Sequence, residues 1–197
     1  MTELENFKKE KKTIALAKAN VYGFLLLIPT AIIYLVPFYF LWKDRLTLEA
    51  FNNLFGHFGV TSGLLTGLLF LLVVMVGVVL HELIHGITWA IFAKNGFQSI
   101  KFGFLKEMLT PYCHCQEPLK LREYLLGAMM PGLVVGVLPW LVSLLVGSVP
   151  LLMFGIFFTM AAMGDLMIIR LICQEDKQSY VLDHPSEAGC YVYRPTR

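Results

Sequence analysis

Charged residues are scarce in this chain. Of its 197 residues only 15% are Asp, Glu, Lys or Arg, whereas 57% are hydrophobic. Soluble domains carry about 25% charged residues, so this composition argues against an ordinary soluble protein and favours a polytopic membrane protein. The formal net charge is only +2, and no basic cluster alternates with aromatic residues. We therefore expect no nucleic-acid partner.

Cysteine is also scarce, and no cleavable signal sequence is evident. Two of the four cysteines, Cys113 and Cys115, are separated by one residue, and the topology predicted below puts all four on the reducing side of the membrane. We therefore expect free thiols rather than disulfides. The chain begins with a charged tail, and its first apolar run is too long for a signal-peptide core. That run is expected to remain as a membrane anchor.

Long uncharged runs predict about four transmembrane helices. Because a helix rises about 1.5 Å per residue, about 20 apolar residues cross the hydrocarbon core. The runs predict spans at about residues 21–42, 63–93, 124–146 and 150–172, with a break of Gly, Ser and Pro between the last two. The predicted fold is an all-α polytopic membrane protein with one membrane domain over residues 21–172.

Three segments outside these spans have their own patterns. Residues 1–20 alternate charged and apolar side chains, which predicts a short amphipathic helix at the cytoplasmic membrane surface or a solvated, disordered tail. Residues 173–197 are predicted to form a C-terminal cytoplasmic tail. Between the second and third spans, apolar residues alternate with polar or small ones over 100–104, and Pro111 allows a return strand. This loop is predicted to be a short β-hairpin on the cytoplasmic side.

The distribution of basic residues predicts the orientation. With four spans, 14 of the 16 Lys and Arg residues fall on the side of the two termini and the hairpin, and only Lys43 and Arg45 fall on the other. The positive-inside rule then places both termini and the end of the second span in the cytoplasm.

The most informative stretch is His-Glu-Leu-Ile-His, near the end of the second span. His81 and His85 are four residues apart, so in a helix they lie on nearly one face and can bind one metal ion. Glu82 lies beside them and could take a proton from water during attack on a carbonyl. The alternative is a packed histidine pair with Glu82 reaching the surface. Because an unpaired acid in the bilayer costs about 2.5–3.5 kcal/mol, packing alone explains Glu82 poorly.

A catalytic zinc ion usually has three protein ligands, and Asp165 is the best candidate for the third. It is the only other acid inside a predicted span. Measured from the outer boundary at 1.5 Å per residue, His81 and Asp165 lie at depths of about 27 and 22 Å, within one helical turn. Cys113 and Cys115 compete as secondary ligands or line the substrate site, but one Cys-x-Cys pair is a weak zinc signal.

These residues resemble the site-2-protease-like membrane zincins, and most closely a small bacterial group of zincin peptidases of unknown function. The resemblance covers residues 63–171 and includes the His-Glu-x-x-His helix, Pro111-Tyr112 in the hairpin, Pro131-Gly132 in the next helix and an aspartate in a later helix. Around that aspartate the chain reads Met163-Gly164-Asp165-Leu166, where site-2 proteases typically carry Asn-Pro-x-Asp-Gly or Leu-Asp-Gly.

The resemblance implies a zinc ion (Zn2+) bound by His81, His85 and Asp165, with Glu82 activating water to cleave a peptide bond in or near a bacterial cell membrane. The expected partners are a membrane protein or peptide substrate and the lipid bilayer, and the oligomeric state stays open. Two other functions remain: a non-catalytic zinc-binding scaffold or chaperone, and a small cation or proton transporter. The transporter is disfavoured because the chain has no inverted repeat.

Overall fold

The computed structural model describes residues 6–14, 16–47, 60–105, 110–185 and 187–196. The α-helices are α1 (Leu16–Trp42), α2 (Val60–Phe92), α3 (Leu121–Pro131), α4 (Leu138–Val146), α5 (Val149–Ala161) and α6 (Met163–Ile172). A π-helical turn, Gly132–Val137, joins α3 to α4, and 3-10 turns occupy Lys43–Leu46 and Gly96–Ser99. The strands are β1 (Phe7–Thr13), β2 (Ile100–Leu105), β3 (Thr110–Cys115), β4 (Leu119–Lys120), β5 (Tyr180–Asp183) and β6 (Gly189–Pro195).

The described helices contain three or four candidate membrane spans. Phe24–Leu46, Gly67–Phe92 and Leu121–Val146 are each long and apolar enough to cross a bilayer. Helices α5 and α6 meet the same criteria only as a pair, which bends by 42°. The chain is mostly helical, and these helices are compatible with the predicted multi-pass membrane protein. The predicted span at 150–172 is two helices rather than one, because the backbone at Ala162 turns to ψ 3° and leaves the helical conformation.

Two small antiparallel sheets accompany the helices. Strands β2 and β3 form the expected hairpin, with Ile100 opposite Cys115. The second sheet has the order β1-β6-β5-β4 and joins segments from both ends of the chain. Phe7 lies opposite Pro195, and Thr13 lies opposite Gly189.

The four-stranded sheet corrects the all-α prediction. Residues 7–13 form a strand, not the amphipathic helix or disordered tail expected for residues 1–20, of which 1–5 and 15 lie outside the described residues. The expected C-terminal tail at 173–197 likewise contains two strands. Both segments form ladder hydrogen bonds with partners far away in sequence, and local periodicity carries no information about such partners.

Two glycines bring other elements close to α2. A Cβ atom at Gly127 would lie 2.0 Å from Nε1 of Trp89, so α3 can approach α2 only because that side chain is missing. A Cβ atom at Gly86 would lie 2.5 Å from Cζ of Phe102, so strand β2 depends on a glycine in the same way. These contacts place the hairpin and α3 around the last turns of α2, where the histidines lie.

Candidate metal centre

Three side chains from two helices converge at the end of α2. His81 and His85 are one helical turn apart on α2, and Asp165 lies in the first turn of α6. Nε2 of His81 is 3.1 Å from Oδ2 of Asp165, and Nε2 of His85 is 3.3 Å from Oδ1. Ligand atoms of these three residues lie within 4.8 Å of one another, and both imidazoles are buried. No other group of three such donors occurs in the described part of the chain.

The distances suit neighbouring ligands of one ion. Zinc binds nitrogen and oxygen ligands at about 2.0–2.2 Å in tetrahedral geometry, so adjacent ligand atoms lie roughly 3.3 Å apart. A direct charge-assisted hydrogen bond between an imidazolium and a carboxylate is shorter, at about 2.7–2.9 Å. The observed separation of 3.3 Å matches the first value, and that of 3.1 Å lies between the two.

The proton on His85 is fixed by a contact on the far side of its ring. Nδ1 of His85 lies 2.9 Å from the carbonyl oxygen of Gly127. A carbonyl can only accept, so Nδ1 donates, and in the neutral ring Nε2 then presents a lone pair to Asp165. A lone pair that faces a carboxylate oxygen requires a cation between them or a second proton on the ring. The arrangement fits a divalent ion, since histidine ligands usually donate their other N–H to a carbonyl or carboxylate.

Aromatic stacking also holds the His85 ring. Trp89 lies one turn further along α2, and its ring stacks on His85 at 5.0 Å with an interplanar angle of 17°. The indole N–H of Trp89 donates to the carbonyl of Tyr124 at 3.1 Å. His81 has fewer restraints, since its Nδ1 is buried without a hydrogen-bond partner among the described residues.

Glu82 lies beside the three candidate ligands without joining them. Its half-buried carboxylate is near enough to interact electrostatically with His81, His85 and Asp165. It also accepts a hydrogen bond from the backbone amide of Cys113, so strand β3 of the hairpin orients it. This placement suits a group that exchanges protons with a water molecule near a metal ion.

Residues 74–180 match a protein family described as "Putative zincin peptidase", and the match covers just over half of the chain. The chain belongs to this family. No match to the chain was found among curated proteins or among solved structures. Membership of a zincin peptidase family supports zinc as the ion and peptide hydrolysis as the reaction, and the described residues supply one donor set that could hold such an ion.

Cys113 and Cys115 lie on strand β3 and do not join the donor group. Cys113 is buried close to Glu82, and burial raises the pKa of its thiol well above the usual range, with the Glu82 charge adding to the shift. Cys115 is also buried, which raises its pKa to about 11. The contact with Glu82 leaves Cys113 as a residue that could line the substrate site.

Several residues around the candidate metal centre are absent from the sequence-based prediction. Gly127 acts through its backbone carbonyl, which no sequence pattern reveals. Asp183 accepts hydrogen bonds from the Tyr124 hydroxyl and the Cys115 amide, and so links the four-stranded sheet to α3 and the hairpin. The position of Trp89 could have been predicted, because it is four residues from His85 and the two rings therefore lie on one face of a helix.

Proposed function

We propose that this protein is a zinc-dependent intramembrane peptidase of the site-2-protease type, which hydrolyses peptide bonds of membrane proteins near the cytoplasmic leaflet. The observation that carries the proposal is the convergence of His81, His85 and Asp165 beside Glu82, at the end of a helix apolar enough to cross a bilayer. Intramembrane ionisable groups indicate a functional site by default, and this set has the composition of a catalytic zinc centre.

The residues divide the chemistry between them. His81, His85 and Asp165 would hold the zinc ion, which supplies Lewis-acid polarisation of a carbonyl and lowers the pKa of water towards neutrality. Glu82 takes the proton of the attacking water and returns it to the leaving amine. The Cys113 amide keeps the Glu82 carboxylate in place, and the Gly127 carbonyl keeps the Nε2 lone pair of His85 directed at the centre.

The four-stranded sheet supports a cytoplasmic location for both termini. Strand β1 precedes the first candidate span, β4 lies between the second and third, and β5 and β6 follow the last helix. Strands of one sheet lie on one side of a membrane, so the chain must cross the membrane an even number of times between β4 and β5. One of these crossings is the third candidate span, and the other is then α5 and α6 together, as a single broken span. Fourteen of the 16 Lys and Arg residues then share the sheet's side, which the positive-inside rule assigns to the cytoplasm.

Strand β2 offers a surface for an unwound substrate. A peptide bond in a helix is shielded by its own hydrogen bonds, so a transmembrane substrate must become extended before hydrolysis. In the described residues β2 pairs only with β3, and Phe102 and Phe104 on β2 are 44% and 53% exposed. An extended apolar segment could add to the open edge of β2 by main-chain hydrogen bonding.

The substitution Glu82→Gln tests the proposal, because it removes the base and keeps the size of the side chain. Cells that express the wild-type protein or the variant are compared by N-terminal labelling of membrane-protein fragments. We expect fragments with the wild type, and a loss of about 10²- to 10⁴-fold in their rate of formation with Glu82→Gln at unchanged zinc content. Glu117→Gln, in the loop after the hairpin, is the matched control and should cleave normally.

Equal fragment formation by Glu82→Gln and wild type would contradict the proposal. Bound zinc with no fragments from either protein would instead favour a non-catalytic zinc-binding scaffold or chaperone.

A further inference from the structure

The carbonyl that contacts His85 belongs to a helical residue whose usual donor is missing. In an α-helix the carbonyl of Gly127 would accept from the N–H of residue 131. That residue is Pro131, which has no N–H, and it lies at the end of α3. The ordinary helical hydrogen bond to Gly127 therefore cannot form.

The next donor along the helix does not replace it. The N–H of Gly132 bonds to the carbonyl of Met129, not to that of Gly127. Beyond this point the chain continues as a π-helical turn, in which the N–H of Leu138 bonds to the carbonyl of Leu133. A buried carbonyl without a partner is costly, and here Nδ1 of His85 is the partner, at 2.9 Å.

Gly127 also lets the two helices come close enough for this contact. Any side chain there would meet the indole of Trp89, which stacks on His85. Gly127 thus allows α3 to approach α2 closely, and Pro131 leaves the Gly127 carbonyl without its helical hydrogen bond. Either residue alone would provide only one of these conditions.

We propose that Pro131 is a positioning residue for His85. Because Pro131 has no N–H to donate to the Gly127 carbonyl, that carbonyl accepts from Nδ1 of His85 instead. This hydrogen bond fixes the Nδ1–H tautomer, in which the Nε2 lone pair faces Asp165. The consequence for zinc binding rests on the proposed function, whereas the hydrogen bond itself does not.

The test replaces Pro131 with Ala, which restores an N–H that competes for the Gly127 carbonyl. Pro139→Ala in α4 is the matched control, because it makes the same chemical change in the same helical run away from His85. We expect Pro131→Ala to weaken zinc binding about 10- to 100-fold, the usual cost of losing a partner behind a metal-binding histidine, and Pro139→Ala to leave it unchanged.

A second readout separates this inference from the proposed function. Nitrogen-15 NMR of histidine-labelled, metal-free protein at alkaline pH reports which ring nitrogen of His85 carries the proton, with His85→Gln identifying the signal. We expect an Nδ1–H ring in the wild type and in Pro139→Ala, and loss of that tautomer in Pro131→Ala. An Nδ1–H ring in Pro131→Ala would overturn the inference even if the wild type binds zinc. If the wild type binds no zinc but Pro131→Ala still loses the Nδ1–H tautomer, only the proposed function is overturned.

Discussion

Cys173 differs from the other three cysteines in its access to solvent. All four are free, but Cys113, Cys115 and Cys190 are buried, whereas Cys173 is exposed just after α6. Burial raises the pKa of Cys190 to about 12 and that of Cys115 to about 11, so neither thiol ionises appreciably near neutral pH. Because maleimides react with the thiolate, Cys173 should be the reactive cysteine.

Labelling of Cys173 reports the proposed orientation. We expect a membrane-impermeant maleimide to label the protein in inverted vesicles and not in intact cells, because the proposed topology places Cys173 after the last span, on the cytoplasmic side. Cys173→Ser should abolish labelling. Asp44→Cys in that background should be labelled in intact cells, since Asp44 lies in the 3-10 turn directly after α1, at the outer end of the first candidate span. Labelling of Cys173 in intact cells would contradict the proposed orientation and indicate the opposite one.

The individual residues of the centre differ in how far sequence predicts them. The shared face of His81 and His85 follows from spacing alone, because helical geometry fixes the relation of residues four apart. The meeting with Asp165 depends on how two distant helices pack, so the sequence supports it only through matching depth. The Gly127 carbonyl depends on backbone hydrogen bonding in a third helix, which side-chain identity does not encode.

At the scale of elements, a cluster of ion pairs stabilises the pairing of the N-terminal strand β1 with the C-terminal strand β6. Arg194 on β6 donates two hydrogen bonds to Glu175, at 2.6 and 2.9 Å, and a third contact reaches Glu10 on β1. Lys12 on β1 also bonds to Glu175. The Glu175 side chain is only 7% exposed, and its contacts, that with Arg194 first, lower its pKa to about 2.

The lowered pKa of Glu175 predicts how strand β1 responds to acid. An unperturbed glutamate has a pKa of about 4.3, so the contribution of Glu175 is complete above that pH and is lost as the pH falls towards about 2. We expect Glu175→Gln to speed hydrogen exchange of residues 7–13 about tenfold at neutral pH, or roughly 1.4 kcal/mol, since Arg194 is partly in solvent. The difference from wild type should shrink as the pH falls below about 4.

A glutamate in the same region serves as the control. Glu187 pairs with Lys11 of β1, but both side chains are about half exposed, so Glu187→Gln should change exchange little. Equal exchange in Glu175→Gln and wild type at neutral pH, or a difference that grows in acid, would contradict this account of the strand pairing.

The elements themselves were predictable where their signal is local. Long uncharged runs predict the helices, and alternation of apolar with polar or small residues predicts β2, because both patterns can be read within one segment of the chain. The break between α5 and α6 was not predictable from hydropathy, since both halves are apolar. The break nevertheless places Asp165 in the first turn of α6, where a helix N-terminus favours a carboxylate.

At the scale of the whole molecule, no sequence pattern predicts the sheet of β1, β6, β5 and β4, although this sheet brings the two ends of the chain together. Strand β1 is rich in lysine and reads as a solvated tail, and its partner β6 begins near residue 189. Such pairing is specified by distant contacts rather than by local propensity. The sheet also supplies Asp183, which supports Tyr124 near the centre.

The central claim is that His81, His85 and Asp165 form one zinc site, and metal analysis of the purified protein tests it most directly. The wild type should contain about one zinc ion per chain, whereas His81→Ala and Asp165→Asn should contain almost none, because two protein ligands hold zinc poorly. Asp176→Asn, an exposed acid beyond α6, should retain the wild-type content. A wild-type protein without zinc, or full zinc content in both ligand variants, would contradict the claim.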